Sequence, residues 1–375
     1  MKLIYISLLT SILWHPICYL IDQMIEDYDK STELVTVSHF LKHAIRWDSL
    51  FYIEIMENDY RYFKNHAFGY GIVLLGKVFS NSLIWLLILQ KICNAISTQL
   101  IYKISMHYSN NNQKFSQLSA LLFIFTPASV FFNSLYTESF FAFLVLVAIY
   151  LQIKQKTYQS SIVFALSIHL RSNGMFFILY SGYPYLVKAI IQLKDKKFKQ
   201  VIATIIEAIP IALIYLISIG IMLYLPYKNY CQQNEMEWCK SIIPYAYGYI
   251  QKNFWDVSFL SSYKIRKLFF IYWGIQGILI QGFWLYKWMT KQCTIKNNIQ
   301  GISIILPTII LFIITTFIAH INCSTRFFST QIPFYWCLAD LFYKKNGKIN
   351  KWVLFYILEF NLGGLILFTN YLLWA

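Results

Sequence analysis

Long apolar runs separated by short basic loops constrain this chain more than any other feature. They lie near 3–21, 201–225, 267–286, 299–319 and 352–373, with a shorter one near 331–343. A helix needs about 20 apolar residues to cross a bilayer, so these runs predict an all-α polytopic membrane protein. Only 13% of residues are charged, against about a quarter in soluble domains, which excludes an ordinary soluble fold. The first run, LIYISLLTSILWHPICYLI, lacks a small-residue cleavage site and reads as an uncleaved helix. Between Ala67 and Leu186 the stretches AFGYGIVLLGKVF, LSALLFIFTP and SIVFALSIHL are each short for a crossing. The whole chain, 1–375, reads as one membrane domain with about ten helices.

A net charge of +15 would suggest nucleic acid as the partner of a soluble protein, but much of the Lys and Arg falls in KDKKFK (Lys194 to Lys199), KWMTKQCTIKNN (Lys287 to Asn298) and KKNGKINK (Lys344 to Lys351). Basic loops of this kind stay cytoplasmic. No nucleic-acid role is expected. The segments 22–66, 226–266 and 320–330 then fall on the opposite side and carry most of the distinctive polar chemistry. In the first, apolar residues at Phe40, Leu41, Ala44 and Ile45, then at Phe51, Tyr52, Ile55 and Met56, have helical spacing. They predict two amphipathic helices on the membrane surface, joined near Asp48. Cys231 and Cys239 share one loop on that side, where an oxidising lumen would let them close a disulfide; two free thiols are the alternative.

Asp48 stands where an N-cap would precede Ser49 to Asn58, and spacing alone favours that capping role over a catalytic one. Its context widens the reading. RWDSLFYIEIMENDY (Arg46 to Tyr60) is followed in order by FTPASVFFNSLYTESFFAF (Phe125 to Phe143), HLRSNG (His169 to Gly174), YCQQNEMEWCKSIIPYAYGYIQKNFWDVSFL (Tyr230 to Leu260) and HINCSTRFFSTQIPFYWCLAD (His320 to Asp340). Together these blocks resemble the GPI mannosyltransferase 2 family (PIG-V type). The chain departs from that pattern at Phe51 and Tyr52, where a His or another ring usually follows Trp-Asp, and at AFGYGIVLL, where prolines are usual.

The resemblance implies a GT-C architecture in the endoplasmic reticulum membrane. It implies an inverting enzyme that takes mannose from dolichyl-phosphate mannose on the luminal side and adds the second, α1,6-linked mannose to a lipid-linked GPI precursor. A lipid phosphate leaves as a stable anion, unlike the alkoxide that a glycosidase must protonate, so one general base suffices, and Asp48 is the candidate. For the phosphate, Arg326 in STRFF offers a planar fork, His320 is a weaker neighbour, and Arg171 in RSNG is a second cation within a span. Snorkelling toward headgroups is the structural alternative for both arginines. Glu138 lines the site or forms a buried ion pair that holds helices together. Arg46, Trp47 and Asn173 complete the substrate-binding set implied by these blocks, and Trp47 and Trp255 could stack on sugar faces, whereas Trp238, Tyr245 and Tyr247 read as interfacial anchors.

No cofactor is expected, no cysteine pair has metal-ligand spacing with histidines, and a metal requirement and any partner subunit are left open. Other readings are a different dolichyl-phosphate-sugar transferase of the same fold, a transporter or an inactive scaffold. A transporter would show inverted repeats, and no repeat is found.

Overall fold

Lipid offers backbone groups no hydrogen-bond partner, so a chain this apolar has to satisfy them within its own helices. The computed structural model describes residues 2–232, 236–343 and 347–372. Among these, the only bridge outside the helices is an isolated one between Tyr343 and Ile349. Residues 233–235 of the Cys231 loop, 344–346 of the third basic loop and 373 at the end of the last apolar run lie outside the described residues.

The chain begins with α1 (Lys2–Met24), and the segment after it carries α2 (Asp48–Asn58) and α3 (Tyr70–Val78). Next come α4 (Leu83–Tyr108), α5 (Gln113–Ile124), the short α6 (Ser129–Asn133), α7 (Glu138–Ile153) and α8 (Thr157–Ile168). They are followed by α9 (Phe177–Lys194), α10 (Phe198–Tyr230) and the loop helix α11 (Ala246–Trp255). The rest is α12 (Leu268–Met289), α13 (Ile299–Phe317), the short α14 (Ser324–Phe328), α15 (Ile332–Phe342) and α16 (Lys351–Gly363).

Seven of the described helices are long and apolar enough to cross a membrane, while α7 and α15 are apolar but shorter. The five long runs expected from sequence correspond to α1, α10, α12, α13 and α16. The short stretches became α3, α5 and α8, of which α5 and α8 have 12 residues each. That is about 18 Å of helix, less than a bilayer core. They pack beside α4 and α7, so protein rather than lipid covers much of their surface. α10 is the opposite case. Its Ile202, Ile205, Ile206, Ile209, Leu213, Leu216 and Ile217 are all exposed at helical spacing, a stripe suited to lipid.

α4 is the inner helix that builds the site. Its side chains Gln90, Lys91 and Asn94 are buried, which is unfavourable in apolar surroundings unless they are paired. Gln90 donates to the carbonyls of Ser134 (2.7 Å) and Tyr136 (2.8 Å), Lys91 to Asn133 (2.9 Å), and Asn94 to Phe132 (2.8 Å). These carbonyls belong to the last residues of α6 and to the link from it to α7, where the helix ladder ends. The α4 side chains therefore fix the turn that leads into Glu138.

The two surface helices expected near Asp48 are not what forms. His39–Ala44 is a 3-10 helix, and only α2 is α-helical. Ser49, Tyr52, Ile53, Ile55 and Met56 of α2 are buried in protein, because α3 and the 134–136 turn cover the face that was expected to meet lipid. Ser49 Oγ donates to the Leu135 carbonyl at 2.9 Å, and the Leu135 N–H donates to Ala44 at 3.0 Å. The expected disulfide between Cys231 and Cys239 is present, with the two Cα atoms 5.5 Å apart.

Candidate active site

Trp47, not Asp48, occupies the N-cap of α2, and Asp48 is the first helical residue. The capping role favoured by spacing is therefore not the role of Asp48. Trp47 has φ 53°, a conformation that side-chain-bearing residues rarely adopt, that costs about 1–3 kcal/mol and that persists only where the surroundings impose it. One hydroxyl does so here. Tyr136 OH accepts from the Asp48 N–H at 3.2 Å and donates to the Arg46 carbonyl at 3.1 Å, clamping both sides of Trp47.

From this turn the Asp48 carboxylate reaches Arg326 of α14, with Oδ2 2.8 Å from Nη1. Arg326 Nε and Arg171 Nη1 both bond Oε1 of Glu138, the first residue of α7. Four residues from distant parts of the chain thus form one chain of alternating charge, balanced at two carboxylates and two guanidinium groups. The Glu138 side chain is fully buried, whereas that of Asp48 is 31% exposed. Glu138 is the floor and Asp48 the mouth. The Arg326 guanidinium lies 4.9 Å from the Phe131 ring centre and 4.8 Å from that of Tyr136, and Arg171 lies 5.3 Å from Phe327. Burial opposes the charge on Arg326, but Glu138 and Asp48 outweigh it and hold the guanidinium well above its ordinary pKa.

Several polar atoms of these residues and of Asn173, two positions beyond Arg171, are buried with no partner among the described residues: Glu138 Oε2, Arg171 Nε and both amide atoms of Asn173. Such groups are uncommon in native interiors and call for an explanation. A ligand bearing anionic or hydroxyl oxygens would satisfy the donors among them.

Beside the ion cluster is an aromatic shelf. Phe51, one helical turn beyond Asp48, stacks on Phe68 with centroids 4.9 Å apart, and Trp255 meets the two edge-on at 6.5 and 6.1 Å. The departure from the family pattern at Phe51 is thus a wall of the site. His320 Nε2 lies 2.6 Å from the Trp255 carbonyl, which can only accept, so this nitrogen carries the proton. Burial lowers the His320 pKa. His320, expected to be a weak phosphate partner, commits this nitrogen to the Trp255 carbonyl. Trp47 is part-exposed and packs edge-on against Tyr371 at 5.3 Å. Trp238, expected at an interface, is buried against Phe63 at 5.9 Å.

Arg46 does not join the cluster. It is fully buried, with Nε bonded to the Thr369 carbonyl at 2.7 Å, Nη1 to Thr32 Oγ1 at 3.1 Å, and Nη2 paired with Asp22 and Asp27. Its guanidinium also lies 4.7 Å from the Tyr371 ring centre. With these donors taken up, Arg46 ties the end of the chain to the segment that carries Asp48. Sequence reasoning missed Tyr136, Gln90, Lys91 and Asn94. A signal for three of them was present, since a Gln-Lys pair with Asn one turn on is unusual in an apolar run.

No group of three or more His, Cys, Asp or Glu placed to hold a metal is found among the described residues. The bundle of apolar helices, with one end carrying a part-exposed carboxylate, paired arginines and an aromatic shelf, has the layout of a membrane-embedded glycosyltransferase of the GT-C type. The family model described as Mannosyltransferase (PIG-V) matches residues 6–375, and the chain belongs to that family. It is 26% identical to GPI mannosyltransferase 2 of Yarrowia lipolytica, over 88% of this chain and 89% of the relative. It is also 26% identical to GPI mannosyltransferase 2 of Drosophila pseudoobscura pseudoobscura, over 88% and 86%. Identity to GPI alpha-1,6-mannosyltransferase 2 of Mus musculus is 22%, over 88% and 87%. No solved structure matches.

Proposed function

We propose that this chain transfers mannose from dolichyl-phosphate mannose to a lipid-linked GPI precursor in the endoplasmic reticulum lumen, making the second, α1,6-linked mannoside. Asp48 is the general base. The observation that carries this reading is the pairing of a part-exposed carboxylate with Arg326 at the mouth of a buried charge cluster. The names of the relatives support the acceptor and the linkage.

In this reading the acceptor hydroxyl attacks the mannose anomeric carbon on the face opposite the phosphate. Asp48 takes the hydroxyl proton as the bond forms. The bond from the anomeric carbon to the phosphate oxygen breaks, and dolichyl phosphate leaves as an anion. A sugar seated between base and phosphate parts Asp48 from Arg326, whose fork then turns to the phosphate. Arg171 adds charge from behind, and its buried Nε, without a partner among the described residues, is a ready donor. The two arginines meet the phosphate charge. Trp47, Phe51 and Trp255 offer faces to the sugars.

Two experiments bear on this. In cells lacking the second GPI mannosyltransferase, expression of this chain is expected to restore GPI-anchored proteins to the surface; well-expressed chain without restoration contradicts the reading. Engineered glycosylation sites near Asp48 and in extended versions of the Cys231 loop are expected to be modified, and sites in the Lys194 and Lys287 loops to stay bare. The reverse pattern removes Asp48 from the luminal side.

A further inference from the structure

The turn that aims Asp48 is supported from two sides. Tyr136 holds its backbone, at the Arg46 carbonyl and the Asp48 N–H. The side chains of Arg46 and Trp47 rest on a second tyrosine, Tyr371. Its ring centre lies 4.7 Å from the Arg46 guanidinium carbon and 5.3 Å from the Trp47 ring, which it meets edge-on. Tyr371 is 1% exposed and Trp47 38%, so the side chain with room to turn is backed by one without it.

Tyr371 is itself fixed. Its hydroxyl lies 2.7 Å from Thr32 Oγ1, which also accepts from Arg46 Nη1 at 3.1 Å. Its backbone has φ 55°, in the left-handed region that residues with side chains seldom enter. The two residues before it are bound through their carbonyls, Thr369 by Arg46 Nε at 2.7 Å and Asn370 by the Tyr28 N–H at 3.0 Å. Ahead of these, Gly364–Phe368 forms a π-helical turn, a rare form found frequently at functional sites. Phe368 at its end packs on Tyr136, with ring centroids 5.8 Å apart. One short segment therefore backs both of the tyrosines that hold the turn.

We propose that Tyr371 is a positioning residue for the transfer: its ring holds Arg46 and Trp47 so that the turn between them and α2 presents Asp48 to the acceptor hydroxyl. This rests on the reading of Asp48 as general base. A base has to lie within hydrogen-bond reach of the proton that it takes, and a misplacement of about 1 Å from a change away from the chemistry can cost about 100-fold in rate. Leucine at position 371 would remove the flat face under the guanidinium and the ring that Trp47 meets. Phenylalanine would keep both and lose only the hydroxyl at Thr32.

The test measures transfer by the full chain in detergent, from dolichyl-phosphate mannose to a one-mannose GPI acceptor. Tyr371→Leu and Tyr371→Phe are each made with Asp48 intact and together with Asp48→Asn. Tyr371→Leu is expected to lower kcat about 100-fold while both KM values change far less, and Tyr371→Phe to retain most of the wild-type rate. Combined with Asp48→Asn, the Leu change is expected to add no further loss, because no base is left to aim and groups that act as one unit are not additive. Should the thermal midpoint show that Tyr371→Leu does not fold, Tyr371→Met, nearer to tyrosine in length, is read in its place. A wild-type kcat without the ring, an equal loss for Tyr371→Phe, or the same fold-loss with and without Asp48 overturns the positioning role and leaves Tyr371 a structural tie. Asp48→Asn at the wild-type rate overturns the general base instead. A slow Asp48→Asn with an additive Tyr371→Leu keeps the base and removes only the positioning role.

Discussion

Glu138→Gln is expected to destabilise the chain by about 3 to 5 kcal/mol, the range seen when one partner of a buried ion pair is removed. Glutamine keeps the shape of the side chain and removes only the charge that Arg171 and Arg326 share on Oε1. Two guanidinium groups then lie against Phe131, Tyr136 and Phe327 with no buried carboxylate between them. The measurement is the denaturation midpoint in detergent, with Arg171→Leu added to the same chain. Removing the orphaned Arg171 cation should recover part of the loss, since an uncompensated buried charge is the main penalty. An unchanged midpoint for Glu138→Gln would mean that the arginines are neutralised from elsewhere.

Asp48→Asn has the opposite signature. Transfer is expected to slow about 100 to 10,000-fold, the usual contribution of a positioned general base, while expression and insertion stay normal and a one-mannose GPI precursor accumulates. Stability holds because the Asp48 carboxylate is 31% exposed and Arg326 keeps its bond to Glu138. A pair this open contributes about 1 kcal/mol at most. Asp48→Ala is expected to behave like Asp48→Asn, because Trp47 is the N-cap and no cap is lost. Of the other carboxylates on α2, Glu54 already accepts from Asn65 and Glu57 is exposed, and neither is paired with an arginine among the described residues.

The helices most legible in sequence are those that face lipid. α10 declares itself because its outer stripe has to be apolar along its length, whereas α5 and α8 hide because they are short and covered by protein. Glu138, Arg171 and Arg326 stand out in sequence because charge in or beside apolar runs is unfavourable without a reason, whereas Asp48 reads as a helix cap until its block is set beside the family that it resembles. Sequence could not tell which partner each has. Arg46 entered the substrate-binding set through that resemblance, and its partners Asp22, Asp27, Thr32 and the Thr369 carbonyl take up its donors within the protein. Helical spacing around Asp48 likewise showed an apolar face but not what covers it, and α3 with the 134–136 turn took the place expected for lipid. The role of Tyr136 had no signal at all, since a buried Tyr in a Phe-rich block looks like core until its hydroxyl is seen between Arg46 and Asp48.

Purified chain incubated with dolichyl-phosphate mannose and a one-mannose GPI acceptor, wild type beside Asp48→Asn, tests the central claim most directly. The account predicts an α1,6-linked second mannose from the wild type and, from folded Asp48→Asn, a rate at least about 100-fold lower. Failure of the wild type to use this donor, a product with another linkage, or an Asn variant that works at the wild-type rate would contradict it.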